Sequence, residues 1–197
     1  MSLTQQQLAH VMPLAGRFTF QYFDHLSAAI DEYEINTATR VQAFLAQLAE
    51  ESGELRYARE LWGPTPQQAR YERVFTAEWS KDDPTNRLAF RLGNEEAGDG
   101  HRFLGRGLIQ ITGRFNYGEC SKALFGGPHF LWAHPETLES PQAACRSAAW
   151  YWASHRCNEA ADAGDFELVT RRVNGGLTHY DRRCVYWQRA KEAITEG

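Results

Sequence analysis

Apolar residues recur at helical spacing along most of the chain, and one stretch breaks that rhythm. In VQAFLAQLAEESGELRYARE, residues 41–60, Val41, Phe44, Leu45 and Leu48 fall at i, i+3, i+4 and i+7, the period of a helix with one buried face. The same stretch then runs into Glu50, Glu51, Glu54 and Glu60 around Gly53. At about 100° per residue, Glu51 lands beside Phe44 and close to the apolar face, whereas Glu50 points the opposite way, toward solvent. A carboxylate at the rim of a buried stripe costs free energy unless it is paired or put to use.

Elsewhere the pattern predicts further helices and their caps. Thr4 with Gln7 resembles a capping box, opening a short helix with Leu8, Val11 and Met12 that stops near Pro13. Residues 18–34, with Phe20, Phe23, Leu26, Ile30 and Tyr33, predict a second amphipathic helix, and Thr37 or Thr39 caps the third. Thr65-Pro66 reads as the start of a helix reaching about Val74, and Asp82-Asp83-Pro84 as the start of another ending near Gly93-Asn94. The five glycines of GNEEAGDGHRFLGRG, residues 93–107, predict a long loop of the kind that carries function. LIQIT, residues 108–112, alternates like a short strand. A helix over Asn116 to Leu124 follows, then a loop from Gly126-Gly127-Pro128 to Pro135, then a core helix, AACRSAAWYWASH, capped by Ser140-Pro141. Asp165 caps a helix to Val173, which Asn174-Gly175-Gly176 ends, and a last helix spans roughly residues 180–194. The expectation is a mainly α chain with one small β element.

Composition narrows the classes. With 197 residues, 43% hydrophobic and 23% charged, the chain can fill one sizeable core. Six Trp, eight Tyr and eleven Phe suit that core first and a sugar-stacking groove second. A net charge of −4 without a basic stripe argues against nucleic acid as a partner. No apolar run approaches bilayer length, so no membrane insertion is expected, and MSLTQQQLAH lacks the n- and h-regions of a signal peptide. Cys120, Cys145, Cys157 and Cys184 lie far apart without zinc-like spacing and are expected as free thiols.

The carboxylates carry the candidate chemistry. Two of them flanking a polar groove are the minimal kit for cleaving a glycosidic bond, one as acid and one as base or nucleophile. Glu51 and Glu54 are one turn apart and not quite on one face. Glu51 and Glu60 would point in roughly opposite directions on a continuous helix, so they share a groove only if the helix stops between them; Gly53 is the stop signal. Glutamates also decorate solvated helix faces, so the cluster alone does not establish chemistry. No His stands near it at metal-ligand spacing, no G-x-S-x-G is present, and GDGHRFLGRG lacks the G-K-[ST] ending of a phosphate loop. No metal and no cofactor are expected.

FLAQLAEESGELRYARE (44–60), GDGHRFLGRGLIQITGRFNY (98–117) and VTRRVNGGL (169–177), in this order, resemble the catalytic domain of family 19 glycoside hydrolases, the chitinase-like fold, and most of all its compact bacteriophage and bacterial endolysin type. The resemblance covers about residues 40–190. It implies a single catalytic domain over 1–197, lysozyme-like and helical, with a small β element beside the active-site groove and residues 1–36 as N-terminal helices packed on it. It implies Glu51 as general acid, Glu60 as the general base that activates water, and Thr112 as a hydroxyl that helps hold that water. Gln110, Asn116 and Asn174 match sugar-binding positions, and Arg183, with Arg182 competing, matches an arginine near the second carboxylate. Glu50 departs from the pattern, which has His there. The activity implied is inverting cleavage of β-1,4 bonds between N-acetylhexosamines, in peptidoglycan rather than chitin, by a monomer made in the cytoplasm that reaches the wall through a pore or a dedicated secretion system. The alternatives are a chitinase and a catalytically inactive wall-binding module.

Overall fold

Side-chain caps set five of the helix starts in the computed structural model, which describes residues 3–74, 84 and 86–195. Thr4 and Gln7 close the capping box of α1 (Gln5–Val11), which ends at Met12 ahead of Pro13. α2 (Arg17–Glu32) follows, and the Thr37 hydroxyl caps α3 (Ala38–Glu51). Thr65 and Gln68 form a second capping box on α4 (Pro66–Ala69). α5 (Arg87–Arg91), α6 (Asp99–Arg102), α7 (Arg114–Phe125), α8 (His129–Ala133) and a 3-10 turn over Pro135–Glu139 lead to α9 (Pro141–Ser154), capped by Ser140. α10 (Cys157–Asp162), α11 (Phe166–Asn174) and α12 (Tyr180–Ala193) complete the chain, with Asp165 capping α11 and left-handed Gly175 closing it. Among the described residues the small β element consists of two antiparallel bridges, Arg59 with Arg106 and Arg106 with Ile111.

Two apolar clusters organise these helices. The larger gathers α1, α2, α3 and α9 to α12, with Phe44, Leu45 and Leu48 fully buried and Trp152 edge-on to Phe44 at 5.3 Å. Burial of each such side chain contributes about 1.5–3 kcal/mol. The smaller cluster holds Phe103, Ile111, Tyr117, Cys120, Leu124, Leu131 and Leu138. α9 serves both: Cys145, Ala148 and Trp152 belong to the first, Ala143 to the second, and Tyr151 packs against each. The seam between the clusters therefore runs along α9.

Several local expectations are corrected. LIQIT is no strand. The chain turns through Gly107 (φ 79°) and left-handed Gln110 (φ 57°), and Ile111 N–H returns to Arg106 O at 2.8 Å. Its alternation arises because Leu108 and Ile109 enter the larger cluster and Ile111 the smaller. The helix expected to reach Val74 stops at Ala69, because the residues beyond it are bound elsewhere: Tyr71 O accepts from Asn94, and Glu72 accepts from Gly98 N and Gly100 N. Asp82 and Asp83 lie outside the described residues; the helix in that region is α5. The glycine-rich loop condenses into α6 around Asp99, which accepts from Glu95 N, Glu96 N and the Arg114 guanidinium at 2.8–2.9 Å. The second expected loop holds α8, and α10 was not anticipated. All four cysteines are free, and burial pushes the Cys120 and Cys157 thiols up to about 12, which marks them as packing groups.

Candidate active site

The carboxylate stretch is arranged by a left-handed reversal. α3 ends at Glu51, and Gly53, Glu54 and Leu55 all have positive φ, at 56°, 61° and 65°. For two L-residues that conformation costs roughly 1–2 kcal/mol each, and the surroundings offset it. Leu55 is fully buried and donates to Ser52 Oγ at 2.8 Å, while Ser52 Oγ donates to Leu48 O at 2.6 Å. Glu54, 2% exposed, accepts from Leu14 N at 2.5 Å and Tyr186 OH at 2.9 Å. Glu54 is therefore a structural carboxylate that holds the reversal. The helix stops between Glu51 and Glu60, where Gly53 signalled it.

Beyond the reversal, residues 58–60 lie against the 105–107 arm of the turn: Glu60 N–H donates to Gly105 O at 2.8 Å and Gly107 N–H to Ala58 O at 2.9 Å. Both oxygens of the Glu60 carboxylate are held. Oε1 accepts from Gln68 Nε2 at 2.9 Å and Tyr71 OH at 3.4 Å, and Oε2 from Gly105 N at 3.0 Å. Burial and the Glu60 charge raise the pKa of Tyr71, keeping it a donor. Gly105 is also where Gln110 and Thr112 converge. A Cβ there would meet Gln110 Oε1 at 2.6 Å and Thr112 Oγ1 at 3.2 Å. Gln110 Nε2 donates to Gly107 O at 3.0 Å, Thr112 Oγ1 to Gln110 O at 2.9 Å, and Asn116 Nδ2 to Thr112 O at 2.7 Å. Glu60, Gln110, Thr112 and Asn116 thus form one connected group.

Glu51 is gripped from α12. Arg183, 2% exposed, donates to Glu51 Oε1 at 2.7 Å, to Gln47 Oε1 at 2.5 Å and to Thr178 O at 3.1 Å, and Gln47 passes a bond to Thr170 at 2.8 Å. The resemblance puts Arg183, or Arg182, beside the second carboxylate; the structure pairs Arg183 with Glu51 and Arg182 with Glu50 at 3.2 Å. α9 joins the two halves. A Cβ on Gly107 would lie 2.8 Å from Ser147 Oγ, and one turn further along, Tyr151 senses the Glu51 charge. Burial, then the Cys157 and Glu51 charges, push the Tyr151 hydroxyl up to about 12. The 105–112 turn therefore packs on α9 at Ser147, one helical turn from Tyr151.

Glu50 does not face solvent. Its side chain is 5% exposed, beneath His179 and Arg182. Asn174 is the last residue of α11, and the neighbouring Val173 O accepts from Tyr151 OH at 3.5 Å, which ties this segment to the same seam. Sequence patterning missed Gln47, Gly105 and Tyr151, whose partners are distant in the chain, and Gln68 and Tyr71, which reach back across the α4 turn to Glu60. It also missed half-buried Trp62, whose ring meets His101 at 5.1 Å and, at 6.4 Å, the Tyr71 that bonds Glu60. The sole signal for Trp62 was an aromatic two positions after a carboxylate. Among the described residues no His, Cys, Asp and Glu group could hold a metal ion.

No family model matches the chain. A Haemophilus influenzae protein described as a glycosyl hydrolase family 19 domain-containing protein is 34% identical over 197 residues, covering 93% of each chain. An Arabidopsis thaliana endochitinase is 32% identical over 83% of this chain, which spans about half, 49%, of that relative. Among solved structures, chitinase C from Streptomyces griseus superposes with a TM-score of 0.69 over 96% of this chain and 75% of that one, at 22% identity. A bacterial family 19 chitinase superposes with a TM-score of 0.68 over 98% and 95%, also at 22% identity. At that identity the superpositions show a shared fold.

Proposed function

The chain belongs to glycosyl hydrolase family 19, and from that premise we propose that it cleaves β-1,4 bonds between N-acetylhexosamines of peptidoglycan by an inverting acid–base reaction. Glycoside hydrolysis comes with the family; substrate, stereochemistry and residue roles are the proposal. Glu51 gives its proton to the leaving glycosidic oxygen. Glu60 takes a proton from a water that attacks the anomeric carbon from the other face, so one C–O bond forms as the other breaks and no covalent sugar intermediate arises. The Thr112 hydroxyl, able to donate and accept, steadies that water. Gln110, Asn116 and Asn174 bind sugar, and Arg183, buried and engaged, orients Glu51. The carrying observation is the reversal at Gly53 to Leu55, which leaves Glu51 on α3 while delivering Glu60 to the 105–112 turn.

Peptidoglycan is supported by the resemblance of the three motifs to the compact endolysin type and by the nearly end-to-end match with a bacterial relative. The similarity to a plant endochitinase favours chitin as the second reading. Action on the wall by a monomer made in the cytoplasm requires a pore or a dedicated secretion route. Mass spectrometry of products from purified sacculi and from chitin tests the choice. Soluble muropeptides with a new N-acetylmuramic acid or N-acetylglucosamine reducing end are expected. Chitin oligomers released while sacculi stay intact overturn the substrate, and wall binding with no product from either polymer points to an inactive module.

A further inference from the structure

Adjacent arginines grip adjacent glutamates where α3 meets α12. Arg183 holds Glu51 at 2.7 Å, and Arg182 approaches Glu50 at 3.2 Å, with His179 Nδ1 on the other Glu50 oxygen at 2.9 Å. Two carboxylates in the last turn of a helix sit at the negative end of its dipole, whereas the start of α12 offers them the positive end. Glu50 is the more enclosed of the two, at 5% side-chain exposure against 17%, and its Oε2 takes no hydrogen bond. A carboxylate so enclosed and so sparsely bonded contributes little to folding compared with a well-packed apolar residue. Its partner His179 occupies the left-handed region (φ 54°) as the residue capping α12, directly after Thr178, whose carbonyl receives Arg183 Nε.

Resting on the acid role of Glu51, we propose that Glu50 and His179 form a positioning clamp that holds the 178–183 segment so that Arg183 meets Glu51 in register. Neither touches the reacting atoms. The clamp fixes the backbone at His179, which places the Thr178 carbonyl, which with Gln47 sets the Arg183 guanidinium, which orients Glu51 Oε1. The Glu that stands where the family resemblance expects His is then part of this chain's own way of arming its acid.

The test compares kcat, KM and Tm for Glu50→Gln, His179→Gly and His179→Asn, with Glu51→Gln alongside, on whichever of sacculi or chitin the wild type cleaves. Glycine accepts the left-handed conformation and deletes the bond; asparagine tolerates that conformation and presents an amide N–H where Nδ1 stood. Glu50→Gln and His179→Gly are each expected to lower kcat about tenfold with KM nearly unchanged, as a small misplacement of a reacting group does. The double variant should be no worse than either single one, and His179→Asn should recover most of the rate. If Glu51→Gln is inactive while Glu50→Gln and His179→Gly turn over at the wild-type rate, or lose only Tm, the clamp is overturned alone. If Glu51→Gln remains active, the acid assignment fails and the clamp's purpose with it.

Discussion

Gly105→Ala isolates the geometry around Glu60 with a single methyl group. Gly105 lies outside the left-handed region, so alanine brings no backbone strain, and its N–H can still bond Glu60 Oε2. The methyl would stand 2.6 Å from Gln110 Oε1, 3.3 Å from Gln110 Cβ and 3.2 Å from Thr112 Oγ1. The amide end of Gln110 can swing away, but its Cβ and the Thr112 hydroxyl sit on a turn pinned by Ile111 and have to give by tenths of an ångström. Overpacking of this kind costs about 1–3 kcal/mol, a Tm lower by roughly 3–10 °C for a chain this size. If Thr112 and Gln110 hold water and sugar, displacements of tenths of an ångström lower the rate by up to about tenfold, since a full 1 Å misplacement costs on the order of a hundredfold. Product release from sacculi or chitin, measured well below the lowered Tm, is the assay. A lowered Tm with an unchanged rate refutes the placement of Gln110 and Thr112 at the reaction. Thr112→Ala, which deletes the hydroxyl without a clash, should slow the reaction while folding normally.

Three further outcomes follow from the same geometry. Glu51→Gln and Glu60→Gln should each abolish glycan cleavage while circular dichroism and gel filtration stay wild-type; residual full activity in either removes that carboxylate from its role. Trp62→Ala should raise KM about tenfold, near 1.4 kcal/mol of lost binding, with a smaller change in kcat; an unchanged KM would show that the ring is no sugar platform. At Asp99, burial opposes ionisation, but the Arg114 guanidinium and the Glu96 and Glu95 N–H groups outweigh it and hold the carboxyl below its ordinary value of 3.8. Its stabilisation is therefore present above about pH 4 and lost as pH falls through the depressed value. Asp99→Asn should cost about 3 kcal/mol near neutrality, with the denaturation curves of variant and parent converging under acid; a pH-independent gap contradicts this.

Much of the helical framework and the location of the chemistry were legible from local rules. Thr4, Thr37, Thr65, Ser140 and Asp165 each cap the helix that follows because capping needs only a hydroxyl or carboxylate within three residues of the N–H groups it serves. Gly53 and Gly175 end helices because left-handed backbone is open to glycine. The same rules failed where distant partners won. LIQIT alternates like a strand yet turns, since its apolar residues serve two clusters at once. Residues 70–74 leave a helix that their spacing supports, because Asn94, Gly98 and Gly100 bind them from across the fold.

The carboxylate stretch divides in the same way. Periodicity alone determined that Glu51 rides at the edge of a buried face and that the helix must break before Glu60 for the two to cooperate. Only the tertiary structure decided what each carboxylate meets: Arg183 on Glu51, Gln68, Tyr71 and Gly105 on Glu60, Leu14 and Tyr186 on Glu54, and His179 on Glu50. A helical wheel knows the direction of a side chain but not what packs over it. Glu50, assigned to solvent by its angle, is enclosed because α12 lies across the end of α3. Ion pairing across more than a hundred residues depends on how helices pack, and that information resides in no local window of the chain.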